Sequence, residues 1–255
     1  MPRFRILLFI LVSSMPGFAP GAESRQVSLN EAVLRACRAM PAGGGYSASS
    51  AASRLLESSM SVTAGTLVID PQHASPSFCS SATYLLFVSV ISQLVSDGSL
   101  TLSPENLNAL LVHGQGDGAG VWGRWNANGP GTARLFKELG LGTNFTDFAD
   151  ALPGDFMKIF WTSEIGMRER GHSVVYLGTL NVGGVESVRF WSSNQPLGYG
   201  EKTVARSKIA QALFSRLDRP ANLSRIASMP KVDPYLSSLL SKPSSPAEMR
   251  RMCGY

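Results

Sequence analysis

The chain has 255 residues, 44% of them hydrophobic and 16% charged, and a formal net charge of +5. This excess is mild and not gathered into runs, which excludes the basic stripe of a nucleic-acid-binding protein. Three scattered histidines and no C-x-x-C pair offer no metal-ligand spacing, and no cofactor is expected.

The N-terminus divides as a secretory signal does. Arg3 and Arg5 are basic, Ile6 to Val12 form a short apolar run, and Ala19-Pro20-Gly21 resembles a small-residue cleavage site. The run is shorter than the roughly 20 residues that span a bilayer, so no stable membrane anchor is expected once residues 1–21 are removed. About 234 residues remain (255 minus 21), carrying +3 (5 minus 2), enough for one domain with extensions. The expected location is periplasmic or extracellular, where free thiols usually pair.

Residues 22–65 read as an N-terminal helical extension. Ser28 caps a helix to Ala39, with Glu31 three residues on and Leu29, Ala32, Val33 and Ala36 on one face. Pro41 and three glycines stop it, and Ala51 to Met60 reads as a second helix. Residues 66–219 read as the catalytic domain, opened by a short strand at Thr66–Ile69. After Pro76 and a Ser77 cap, the residues Phe78, Ala82, Leu85, Leu86, Val90 and Leu94 fall at helical spacing, as a buried stripe ending at Asp97-Gly98. Ser103 and Pro104 start another helix.

His113 to Gly131 holds seven glycines and two tryptophans without a regular period, as a long functional loop does. A helix at Thr132–Leu139 follows, closed by Gly140. Phe156–Trp161, His172–Leu177 and Val185–Trp191 are β-branched and aromatic, and their short connections predict an antiparallel meander. Thr203 to Leu217 reads as helix. Residues 220–255 are Ser/Pro-rich and read as a wrapping tail with weak helices near Leu236–Leu240.

The cysteines focus the functional question. Three pairings are open, and the expected one joins Cys37 to Cys253 and leaves Cys79 free. A thiol in the first turn of a helix meets unsatisfied amides and the positive end of the dipole, which favour the thiolate. His172, at the start of a strand, is the candidate base, ahead of His73 and His113. Asn194 shares strand parity with Val188 and Phe190 and is the candidate orienter of the imidazole, with Glu186 and Asp155 as rivals. Gln72 is a candidate oxyanion donor. Trp122, Trp125, Asn126 and Asn128 are candidates to line a substrate cleft, the alternative being that the tryptophans plug the core edge.

The segments P-S-F-C-S-S-A-T-Y-L-L-F, P-G-D-F-M-K-I-F-W and G-H-S-V-V-Y-L-G, in that order, resemble the NlpC-type and CHAP-type papain-like cysteine peptidase/amidase superfamily. Phe78 stands where that family has an acidic residue, and the interval from cysteine to histidine is longer here. The resemblance implies an α+β, papain-like fold with a Cys-headed helix packed on a small antiparallel sheet. It also implies Cys79 as nucleophile, His172 as base, and bacterial cell-wall peptides as substrates.

The first expectation is therefore an exported cysteine hydrolase cleaving a peptide or amide bond, in peptidoglycan, through Cys79, His172 and Asn194. Acyl transfer to an amine at the same site is an alternative. A non-catalytic wall- or glycan-binding module with a buried, inert Cys79 is the other.

Overall fold

The computed structural model describes residues 28–255, so the expected signal at 1–21 lies outside the described residues. Eight α-helices and nine strands lie within that span: α1 Leu29–Ala39, β1 Gly43–Gly44, α2 Ser50–Ser58, β2 Met60–Thr63, β3 Thr66–Ile69, α3 Cys79–Ser96, α4 Pro104–Ala109, α5 Gly120–Asn126 and α6 Gly131–Leu139. There follow β4 Gly142–Phe145, β5 Phe156–Phe160, β6 Gly171–Val182, β7 Val185–Asn194, β8 Gly198–Ala205, β9 Gln211–Leu217, α7 Pro234–Ser238 and α8 Pro246–Cys253. The protein is mixed α+β with an antiparallel sheet of seven strands in the order β1-β8-β7-β6-β5-β9-β4. β2 and β3 form a separate hairpin.

α3 is the central element. The sequence suggested an apolar stripe, but the helix is buried on all sides from Ser80 to Val88, as a helix hydrophobic all round must be. It is long and apolar enough to cross a bilayer by length and composition, yet it sits in the core. It packs against β6, β7, β3 and α1. Leu85, Leu86 and Phe87 are fully buried, each contributing roughly 1.5–3 kcal/mol. Phe156, Val175, Trp191 and Tyr199 meet α3 from the sheet, while Met157, Val174, Val188 and Phe190 form a second core on the opposite face.

The central meander β5-β6-β7 matches the sequence expectation. Ser28 and Ser103 cap α1 and α4 through their side chains, as read from the sequence. Four expectations are corrected.

Thr203–Leu217 is not helical: it contains the end of β8, a single 3₁₀ turn and β9. β9 lies between β5 and β4 and is buried along nearly its whole length, so it lacks the alternation that marks a half-buried strand.

The glycine-rich stretch is not one loop, because Gly120–Asn126 folds as α5. Buried Arg124 organises it. Its guanidinium pairs with Glu138 through Nε and Nη2, at 2.6 and 2.9 Å, and donates to the carbonyls of Gly118, Gly120 and Pro230.

The supposed extension 22–65 contributes an edge strand, β1, to the main sheet. Gly198 permits that approach: its φ is +90° and an added Cβ would lie 2.2 Å from the Gly43 carbonyl oxygen.

Cys37 and Cys253 are not bridged. Both are free and buried, Cys37 in the α3 core and Cys253 in a separate cluster with Phe160 and Leu213.

Candidate active site

Cys79 is the first residue of α3. Phe78, not Ser77, is the N-cap, and Ser81 Oγ closes the helix start by accepting the Phe78 N–H at 2.9 Å. The amides of the first turn have no partner within the helix, so the Cys79 N–H is available beside its own thiol. The side chain is half-buried.

Burial pushes the Cys79 thiol up, but His172 outweighs it, helped by the Ser173 backbone N–H and the Lys158 charge. The net result is a pKa lowered from 9.0 to about 7.

His172 and Asn194 belong to neighbouring antiparallel strands. His172 Nε2 lies 3.1 Å from Asn194 Oδ1. The amide orientation is fixed independently, since Asn194 Nδ2 donates to the carbonyls of Ser192 and Gly200 at 3.2 and 2.8 Å. Oδ1 can only accept, so Nε2 carries the proton and Nδ1 is left for the thiol. Trp161 stacks on the imidazole with ring centroids 6.3 Å apart, and Phe190 meets it edge-on at 5.6 Å. The ring is held on two sides.

Two cavities flank these groups. One, of about 240 Å³, is lined by Cys79, Ser80, Asn126, Asn128, Lys158 and Ser173, among others. The second, of about 450 Å³, is lined by His172, Asn194, Trp161, Arg170, Lys202 and Val204, among others. Tyr46, Glu169 and Gly171 border both, making them two lobes of one cleft. Lys158 Nζ and Glu169 Oε1 form an ion pair at 2.6 Å in the cysteine lobe. An added Cβ at Gly171 would lie within 2.6–2.7 Å of both partners, so glycine there leaves room for the pair.

Other candidates lie elsewhere or play different parts. Gln72 is exposed in the turn after β3 and lines neither lobe. Trp122 is buried against Phe78 and Tyr84 and does not reach the cleft. Trp125 is 2% exposed, forms the back wall of the cysteine lobe, and donates Nε1–H to Thr83 Oγ1 at 3.1 Å. Trp122 supports α3 from within the core, whereas Trp125 both supports α3 and walls the cysteine lobe. Asn126 and Asn128 do line the cleft, and Asn126 accepts a hydrogen bond from Ser80.

Asp155 is fully buried and committed to Arg216, Asn30 and the Leu152 N–H. Glu186 is exposed at the hairpin end of β7, eight residues and roughly 27 Å of strand from Asn194. Neither carboxylate orients His172. His73 bonds Ser58 and His113 pairs with Glu57, both away from the thiol.

Sequence reasoning missed Tyr46. Its hydroxyl meets the thiol, and burial followed by the thiolate charge raises its pKa to about 12. The backbone pins it: the Tyr46 N–H donates to the Pro196 carbonyl, and the flanking Gly45 and Ser47 bond Ser77. Tyr46 is thus tied to both the Cys79 and the Asn194 segments. The only sequence signal was the Gly43-Gly44-Gly45 run, which marks a close backbone approach.

No protein-family model, curated protein or solved structure matches the chain.

Proposed function

We propose that the protein is an exported cysteine hydrolase of papain-like design that cleaves a peptide or amide bond, with bacterial cell-wall peptide as substrate. The observation that carries this reading is the alignment of a lowered thiol, an imidazole and a fixed amide oxygen across one cleft. A buried structural cysteine has a raised pKa, as Cys37 and Cys253 do. Cys79 has the opposite shift.

On this reading the Cys79 thiolate attacks the carbonyl carbon, forming a C–S bond and an oxyanion. The Cys79 backbone N–H and the Tyr46 hydroxyl supply donors for that oxyanion. Collapse breaks the C–N bond while protonated His172 gives its proton to the leaving amine, and a thioester remains. Water then attacks the thioester with His172 as base, releasing the carboxylic acid and the thiol. Asn194 holds the imidazole in the tautomer that this sequence of transfers requires.

The test is to incubate purified wall fragments with wild-type protein and with Cys79→Ala, and read the products by mass spectrometry. The expected result is new amine and carboxylate ends, a gain of one water per bond cut, with the wild type alone. A gain of added amine in place of water would assign acyl transfer instead. Wall binding by both proteins without any new ends would leave only the binding-module alternative.

A further inference from the structure

We propose that the histidine lobe of the cleft is a carboxylate-recognition subsite, in which Arg170 and Lys202 select substrates whose leaving amine carries a negative charge. This rests on the hydrolase reading above and adds the chemistry of one half of its substrate.

The direction of the substrate follows from proton transfer. His172 protonates the departing nitrogen, so the amine portion occupies the lobe that His172 lines and the acyl portion occupies the lobe around Cys79, Ser80 and Lys158.

The charges of the two lobes differ. In the cysteine lobe the Lys158 ammonium is neutralised by Glu169. Glu169 also borders the histidine lobe, but its carboxylate is already committed to Lys158 and to the Gly166 N–H at 2.8 Å. Arg170 and Lys202 line the histidine lobe, and among the described residues neither forms an ion pair. That lobe is therefore cationic by two charges.

Both cations are placed by the sheet. Lys202 stands directly across from Phe190 in the β7–β8 register, so the two side chains share a face, and Phe190 touches the His172 ring. Val204, two residues on, lines the same lobe. Arg170 immediately precedes β6, and its carbonyl accepts the Trp161 N–H at 2.9 Å, which fixes the backbone beside the indole. Trp161, Phe190 and Val204 give the lobe an apolar wall. An amine with an apolar body and a carboxylate, as in an amino-acid residue at a chain end, matches that lining.

The test uses two thiol reagents of nearly equal size, iodoacetate and iodoacetamide, which differ in carrying a carboxylate or a neutral amide. Their rate ratio at Cys79 cancels general changes in thiol reactivity, and Lys158 is present throughout. Wild type should favour iodoacetate relative to the ratio found with a small free thiol. Arg170→Gln with Lys202→Gln should lower that ratio about three- to tenfold, the scale of two solvent-facing charge interactions. An unchanged ratio with rapid iodoacetamide reaction overturns the subsite and leaves the hydrolase reading standing. Slow reaction of wild-type Cys79 with both reagents at pH 7 overturns the hydrolase reading and the subsite with it.

Discussion

Continuing the β6–β7 register three residues past the Val175–Trp191 pair brings His172 opposite Asn194. His172 and Asn194 are thus cross-strand neighbours, held by the same pleat that pairs the strands. The Asn194 amide is also tied to the Ser192 and Gly200 carbonyls, so the oxygen facing His172 cannot turn away without losing two bonds.

Asn194→Ala removes that acceptor while leaving the thiol and the imidazole in place. The imidazole then samples other orientations, and a misplacement of about 1 Å lowers kcat by about 10²-fold. KM should change little, because Asn194 is not a nucleophile or a proton carrier. Steady-state kinetics on the cleaved wall peptide check this, and an unaltered kcat would remove Asn194 from the machinery.

The thiol should titrate early. Alkylation requires the thiolate, so its rate climbs as pH rises through the thiol pKa. With Cys79 lowered to about 7, the wild-type midpoint should lie near 7. His172→Ala deletes the largest of the favourable contributions and should move the midpoint up towards or beyond 9.0. Iodoacetamide rates measured across this range give both midpoints, and coincident profiles would mean that His172 does not face the thiol.

Tyr46→Phe deletes a hydroxyl and little else. Loss of one oxyanion donor lowers kcat by about 10²–10³-fold. The same hydroxyl meets the thiol, so its loss should also raise the alkylation midpoint. A fall in kcat without a shift in midpoint would confine Tyr46 to the oxyanion step.

Why some of this was readable and some not follows from where each signal resides. The helix starts at Ser28 and Ser103 are local chemistry, a side-chain oxygen three residues from an orphan amide, and both stand as read. The meander from Phe156 to Asn194 carries local turn and β-branched signals. β9 has no period to read because both its faces are covered. The glycine-rich stretch is ordered by partners far along the chain, Glu138 and the Pro230 carbonyl, which no window around Arg124 contains. That Cys79, His172 and Asn194 lie together was legible because chemistry limits the residue types and strand parity limits their direction. Tyr46 carries no local chemical signal, and only the pairing of the 45–47 and 77 backbones brings it beside the cysteine segment while Gln72 stays in its turn.

Arg124→Met tests the buried organiser of that stretch. The guanidinium is fully buried, and Glu138, only 13% exposed at its side chain, would be left as an uncompensated charge. Removing one partner of such a pair costs about 3–5 kcal/mol. Urea unfolding should show a lowered midpoint, and adding Glu138→Leu should recover part of the loss. A single variant with wild-type stability would show that the carbonyl bonds and the ion pair are dispensable.

The other two thiols give the last prediction, and it opposes the disulfide suggested by their positions near the two ends of the described chain. Cys37 and Cys253 are free, each buried, and burial pushes both thiols up to about 12. At neutral pH neither is a thiolate in the folded protein, so native alkylation should label Cys79 alone, and denaturation should expose all three. Non-reducing peptide mapping should find Cys37 and Cys253 in separate peptides. The same shifts set a sign for stability. The unfolded thiols ionise near 9.0 while the folded ones remain protonated to about 12, so unfolding releases protons in that window. Stability should therefore fall as pH rises above 9, and Cys37→Ala with Cys253→Ala should flatten that part of the decline. Recovery of a cross-linked Cys37–Cys253 peptide from the unreduced protein would overturn the arrangement, since it requires α1 and α8 to lie side by side.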